Sequence, residues 1–249
     1  MNLVEDNVIL LAGATGRVGG ATLATLAREG ARIAVLSRDR ERAQAAIVEV
    51  LEPAARERAI AIRADLSDPA SATAAVAECV KAFGRIDALV NLAGSGGGRI
   101  PLTGSKLDDL RFTLAAFTET AYNLSLPALR AMLAQPFREG ARSRGRIVTV
   151  TAGSSKAPAP GRGAFAAAKA GVNALMLSIA REHKADGIVA NALVLGGVAF
   201  AGAEKFYSPE DLAAAATPQE VADALTFLAS DRASGINGAL VDLNAREVD

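Results

Sequence analysis

Apolar residues along this chain fall into two alternating patterns. Short continuous runs, expected of strands buried on both faces, recur between longer stretches whose apolar positions repeat at helical spacing. Val8 to Ala12 is the first run; glycines follow at 13, 16 and 19, then Leu23, Leu26 and Ala27 at helical spacing, with Gly30 as a helix stop. Ala31 to Leu36 predicts a second strand, Arg40 to Leu51 a helix, Ala59 to Arg63 a third strand, and Pro69 to Phe83 a helix opened by its proline. Ile86 to Leu92 predicts a fourth strand, followed by a glycine-rich loop, Ser95 to Gly98. A long helix is expected over Leu107 to Ala134, kinked or broken near Pro127. Arg146 to Thr151 predicts the fifth strand; a loop, Ala152 to Gly163, leads to a helix from Ala164 to His183. Ile188 to Val194 and Ala239 to Leu243 predict strands six and seven. Between them lie an irregular segment, Gly196 to Ala216, and a helix begun by Thr217-Pro218 with Glu220. This alternation predicts an α/β fold, a parallel sheet with helices on both faces. No repeat or linker divides it, so residues 1–249 read as one domain.

The turn after the first strand suggests chemistry. A strand turning sharply into a helix aims free backbone N–H groups and the positive end of the helix dipole at one point, a site for phosphate or pyrophosphate. The spacing is G-x-x-G-x-x-G, which by itself also describes a structural turn. The end of the second strand bears on which dinucleotide would sit there. An acid about 20 residues past the glycines binds ribose hydroxyls, whereas a basic residue favours a 2′-phosphate. Ser37 and Arg38 stand there, and the next residue, Asp39, suits the N-cap of the following helix. The expected cofactor is therefore NADP(H) in preference to NAD(H). Arg17, inside the glycine turn, either joins Arg38 at that phosphate or lies in solvent.

Composition narrows the classes. An apolar content of 51% in 249 residues supports a substantial core. Equal numbers of basic and acidic residues, 27 each, give no reason to expect a nucleic acid or an anionic membrane as partner. One cysteine, Cys79, excludes an intrachain disulfide and points to a cytoplasmic location; with Val76, Val80 and Phe83 at helical spacing it is expected to be buried. The opening residues lack the basic region of a signal peptide. No membrane span is expected, because Lys169, Asn173 and Ser178 interrupt the alanine-rich stretch 163–180. One histidine and one cysteine leave too few ligands for a His/Cys metal site, so no metal is expected.

Several ordered motifs together resemble the short-chain dehydrogenase/reductase family over nearly the whole chain. A-G-A-T-G-R-V-G at 12–19 is similar to its cofactor turn, Asp65-Leu66 to its adenine-contacting pair, and N-L-A-G at 91–94 to its N-x-A-G. G-R-I-V at 145–148 resembles the lead into its catalytic strand, A-F-A-A-A-K-A-G at 164–171 its active-site helix, and 217–231 its penultimate helix. The resemblance implies a Rossmann-type, doubly wound, seven-stranded parallel sheet, and homotetramers or homodimers built partly on the two long helices. It implies a dinucleotide site at Gly13, Thr15, Gly16, Arg17, Val18, Gly19, Ser37, Arg38, Asp65, Leu66, Asn91, Ala93, Gly94 and Lys169. It also implies a small carbonyl substrate.

Family members protonate the nascent alkoxide from a tyrosine in Y-x-x-x-K, polarise the carbonyl with a serine at the preceding strand end, and use an asparagine on the long helix to support a relay water. Here Lys169 matches the lysine, but the tyrosine position holds Phe165 and the serine position Ala152. Aligning Pro127 with the family's helix-end proline puts the relay position at Leu114. The P-G after strand six is Leu195-Gly196 and the D-G-G near the end is Asn244-Ala245-Arg246. Ser154 and Ser155 are candidates to replace the lost hydroxyl; Tyr122, Tyr207 and His183 are weaker candidates for an acid. Asn91 is expected to hold the cofactor loop rather than do chemistry. Phe200, Phe206 and Tyr207 suggest a partly apolar substrate pocket. The expected function is an NADP(H)-binding oxidoreductase scaffold with weak or absent activity. The alternative is an active NADP-dependent carbonyl or enone reductase with an unconventional proton donor.

Overall fold

The computed structural model describes residues 2–94, 96, 98–200, 202–205 and 208–243. In chain order the elements are β1 (Val8–Ala12), α1 (Arg17–Arg28), β2 (Arg32–Ser37), α2 (Arg40–Val50), α3 (Pro53–Arg56), β3 (Ala59–Arg63), α4 (Pro69–Phe83), β4 (Ala88–Asn91), α5 (Leu107–Leu114), α6 (Thr120–Ala134), β5 (Gly145–Ala152), α7 (Gly163–Glu182), β6 (Ile188–Leu195), α8 (Pro209–Ala213), α9 (Pro218–Leu228) and β7 (Leu240–Leu243). The strands form one seven-stranded sheet in the order β3-β2-β1-β4-β5-β6-β7, every pair parallel.

Successive side chains of a strand point to opposite faces, and both faces here are covered. Leu10 of β1 joins Cys79 of α4, Leu124 and Met132 of α6, and Met176 of α7 in one apolar layer. Ile9 and Leu11 join Leu23 and Leu26 of α1, Ile47 of α2 and Leu225 of α9 in the other. β1 is apolar throughout because neither of its faces meets water, whereas β4, β5 and β6 also bury Asn91, Arg146 and Asn191. Cys79 is fully buried, and burial pushes its thiol up to about 12.

Two expectations are corrected. The long helix does not break at Pro127, which lies inside α6; it widens earlier, into a π-helical turn over Ala115–Glu119. Threonine hydroxyls meet carbonyl groups around that turn. Thr120 Oγ1 donates to Ala116 O at 3.0 Å, and Thr118 Oγ1 donates across to Ala168 O of α7 at 2.8 Å. Second, α7 is long and apolar enough, by length and composition, to cross a membrane, despite its interrupting polar residues. Its apolar stripe serves the core: Ala166, Val172, Met176 and Ile179 are buried. The short helices α3 and α8 and the bridge Val198↔Ala216 add local order that the pattern did not predict.

Candidate active site

The strand order reverses direction between β1 and β4, so the segments leaving these two strands diverge and open a crevice at the carboxyl end of the sheet. The glycine turn follows β1, and N-L-A-G completes β4, on either side of it. Gly13 has φ +89°, and a Cβ there would meet Leu92 C at 2.8 Å. A Cβ on Gly19 would lie 2.0 Å from Gly13 O. Only glycine lets α1 start this close to the strand it follows. The N-cap, Gly16, offers no side chain to the helix end, and the first turn has no acidic residue. Thr15, Gly16 and Arg17 are exposed at the mouth, Val18 is half-buried and Gly19 is buried. Gly16 N–H donates to Gly13 O at 3.2 Å within the turn, and the N–H groups of the first helical turn, from Arg17 to Gly19, are left for an anion.

Ser37 ends β2 opposite Arg63 of β3, and Arg38 follows, exposed. Asp39 is the N-cap of α2, its carboxylate accepting from Glu41 N at 2.8 Å and Arg42 N at 3.4 Å. Asp65 folds over Ser67, accepting from its N–H at 3.0 Å and its hydroxyl at 2.6 Å. Those bonds, then the charges of Arg38 and Arg63, hold the Asp65 carboxyl below the usual carboxylate range. Leu66 is buried beside it and its carbonyl accepts from Asn123 Nδ2 at 3.0 Å. Asn91 is buried, and its Oδ1 accepts from Ala93 N at 2.9 Å, which shapes the turn toward Gly94. A Cβ on Gly94 would strike the Phe117 ring at 2.4 Å.

Across the crevice stands α7. Lys169 is 7% exposed, its Nζ donating to Val150 O of β5 at 3.0 Å. The ammonium lies 4.3 Å from the centroid of Phe117 and 6.0 Å from that of Phe165, and the two rings meet edge to face at 5.3 Å. Burial pushes the Lys169 ammonium down to about 8. Ala152 ends β5. Ser155 Oγ accepts from Asn173 Nδ2 of α7 at 2.8 Å, which fixes the hydroxyl and leaves its own O–H to donate, and Ser154 is half-buried beside it.

Phe117 was missed from the sequence: alignment on Pro127 selected Leu114, while the π-helical turn carries Phe117 to Lys169. The signal was faint, because Phe112 and Phe117 both lie within three residues of Leu114 and spacing does not choose between them. Arg17 is exposed, as one of its two expected placements has it. Its guanidinium stacks 4.1 Å over Phe200 rather than joining Arg38. Tyr122 is 52% exposed on α6, and His183 caps the far end of α7 from Lys169, with Nδ1 2.9 Å from Asp186 Oδ2. Tyr207, Phe206, Ser95, Gly97 and Asn244-Ala245-Arg246 lie outside the described residues.

A cavity of about 220 Å³ lies against Phe165, walled by Ile100, Ser105, Asp109, Phe112 and Thr113. A larger cleft of about 490 Å³ opens at the opposite end of the sheet, beside the start of β6, and includes none of the residues singled out from the sequence.

Known proteins match this arrangement. The short chain dehydrogenase family profile matches residues 7–211. The chain is 30% identical to the A-factor type gamma-butyrolactone 1'-reductase (1S-forming) of Streptomyces virginiae, over 95% of this chain and 93% of that protein. It is 32% identical to the oxidoreductase UcpA of Escherichia coli O157:H7, over 96% of this chain and 93% of that one. The crystal structure of gox2181 superposes with a TM-score of 0.84 at 24% identity, covering 97% of this chain and 95% of that one, a likeness of fold. The crevice at the strand-order reversal, the glycine turn and these end-to-end relatives lead to one conclusion: this chain belongs to the short-chain dehydrogenase/reductase family.

Proposed function

We propose that this chain binds NADP(H) in preference to NAD(H), and that the family's usual proton-transfer route is disabled in it, leaving weak or no carbonyl reduction. Family members use nicotinamide dinucleotides and act on a small substrate. The carrying observation is the surroundings of Lys169: its ammonium faces the rings of Phe117 and Phe165, where a reductase of this family presents hydroxyl and amide groups.

The residues fit a dinucleotide, because a side chain at 13 or 19 would collide with backbone in the turn and nothing caps α1. The N–H groups of the first helical turn, from Arg17 to Gly19, would hold the pyrophosphate. Ser37 and Arg38 would hold the 2′-phosphate, and Asp65 and Leu66 the adenine. Asn91 shapes the floor through Ala93 and Gly94, and Lys169 would hold ribose hydroxyls. When bound, the dinucleotide supplies or accepts a hydride. Reduction of a carbonyl also requires a proton at its oxygen. Phe165 keeps the ring of tyrosine without the atom that gives the proton, and Ala152 offers no hydroxyl to polarise the carbonyl. A positioned general acid is worth about 10²–10⁴-fold in rate.

The cofactor preference is supported by the exposed Arg38 and by Asp39, whose carboxylate is engaged as an N-cap instead of facing a ribose. Calorimetry with NADPH and NADH tests it, with NADPH expected to bind more tightly. Equal affinities overturn the preference; no binding of either overturns the whole reading. Exposed Leu107, Phe112 and Tyr122 on α5 and α6 support assembly of a homodimer or homotetramer through these helices, to be read by light scattering.

One observation favours the second reading, an active carbonyl or enone reductase with an unconventional donor. Lys169, pushed down to about 8, is a proton source suited to neutral pH. That reading expects NADPH consumption with some member of a carbonyl and enone panel, lost in Lys169→Ala.

A further inference from the structure

We propose that Arg63, at the end of β3, is a specificity-determining residue that joins Arg38 to grip the 2′-phosphate of the adenosine. This rests on the dinucleotide reading above and adds to it a residue from a different strand.

The geometry begins with the sheet. Ser37 and Arg63 are register partners in the parallel pair β2 and β3, so both strands end side by side at the rim of the crevice. Arg63 is exposed, and its Nε donates to the carbonyl of Arg38 at 3.4 Å. That bond anchors the guanidinium beside the residue after β2 and leaves its two terminal nitrogens for a ligand. A planar guanidinium presents paired donors that match phosphate oxygens.

The charges around the pair point the same way. Among the described residues, neither Arg38 nor Arg63 has a carboxylate within 4.0 Å. The nearby acids are engaged elsewhere: Asp39 caps α2, Asp65 holds Ser67, and Glu78 pairs with Arg40. Both arginines act on Asp65 across space, so both guanidinium groups lie within electrostatic reach of one carboxylate. Arg17, the other cation the glycine turn could contribute, is stacked on Phe200. Two cations with no carboxylate in ion-pair contact among the described residues, and with the Asp65 carboxylate farther off, therefore form a receptor for a dianion beside Ser37.

Calorimetry with adenosine 2′,5′-bisphosphate and with adenosine 5′-monophosphate tests this without turnover. The wild-type chain should prefer the bisphosphate. Arg63→Ala should weaken the bisphosphate by about tenfold and leave the monophosphate within about twofold. Arg63→Gln should behave in the same way, and thermal melts of both variants should match wild type because the side chain is exposed. An unchanged preference in both variants overturns the assignment of Arg63 while the NADP(H) reading stands. Equal weakening of both ligands also overturns it, since the residue would then serve the nucleoside as a whole. A wild-type chain that does not distinguish the two ligands overturns the NADP(H) preference itself.

Discussion

The ammonium of Lys169 sits 4.3 Å above the ring of Phe117, on a helix more than fifty residues away in sequence, and its single hydrogen bond among the described residues is to Val150 O. A buried cation held by one carbonyl and two phenyl rings is in an unusual balance. Its solvation is lost, and the rings return part of that loss, roughly 1–2 kcal/mol for a desolvated contact. The predictions below start from this balance and move outward.

Lys169→Met should stabilise the fold below pH 8, by as much as about 3 kcal/mol, one unit of pKa being worth about 1.4 kcal/mol. The folded pKa lies near 8 against an ordinary value of 10.5. Below 8 both states carry the proton and the folded one bears the burial cost. Between 8 and 10.5 the unfolded chain holds more protons, so wild-type stability rises with pH through that window. Urea denaturation of both proteins from pH 6 to 11 should show the gap closing as pH rises. A gap independent of pH would mean that Lys169 is not held charged in an apolar setting.

Phe165→Tyr combined with Ala152→Ser should raise NADPH-dependent carbonyl reduction by about 10²-fold or more over the unmodified chain. Adding Phe117→Asn should raise it further, since an amide would then replace the ring facing Lys169. The readout is turnover across a panel of ketones. An unmodified chain that already matches the triple variant contradicts the proposed loss of function.

Gly19→Ala should cost about 2 kcal/mol or more and impair dinucleotide binding, because its Cβ would lie 2.0 Å from a backbone oxygen that cannot move alone. Gly20→Ala is the contrast. There the nearest atom is Val50 Cγ2 at 3.9 Å, and the change should stabilise α1 by up to about 1 kcal/mol. Thermal melts of the two variants should move in opposite directions.

Asp231→Ala should destabilise by about 1–3 kcal/mol, less than for a fully buried pair because the Asp231 side chain is 38% exposed. Its carboxylate pairs with Arg146, whose side chain is only 3% exposed, and burial already presses that guanidinium below its ordinary range. Adding Arg146→Met should recover much of the loss by removing the stranded charge. A double variant no more stable than Asp231→Ala alone would show that the pair is not the cause.

Much of this was legible before any coordinates. The runs at Val8–Ala12, Ala59–Arg63 and the helix Pro69–Phe83 appear with the bounds the pattern predicts. Thr217 and Glu220 form the reciprocal cap their spacing promises, and Asp39 caps α2. The pairing of residues 165 and 169 on one helical face follows from a spacing of four. These are properties of single elements, in which the backbone period alone dictates which side chains share a face.

What the tertiary structure decided lies between elements. It set Phe117, in a π-helical turn, against Lys169 of another helix, a contact that no spacing predicts. It sent Arg17 to Phe200 and brought Arg63 to Arg38, the latter through the pairing of two strands joined by α2 and α3. Chain spacing dictates the periodicity within a segment. The meeting of segments remote in sequence is settled by packing and by the satisfaction of buried polar groups, and no local pattern of residues carries that information.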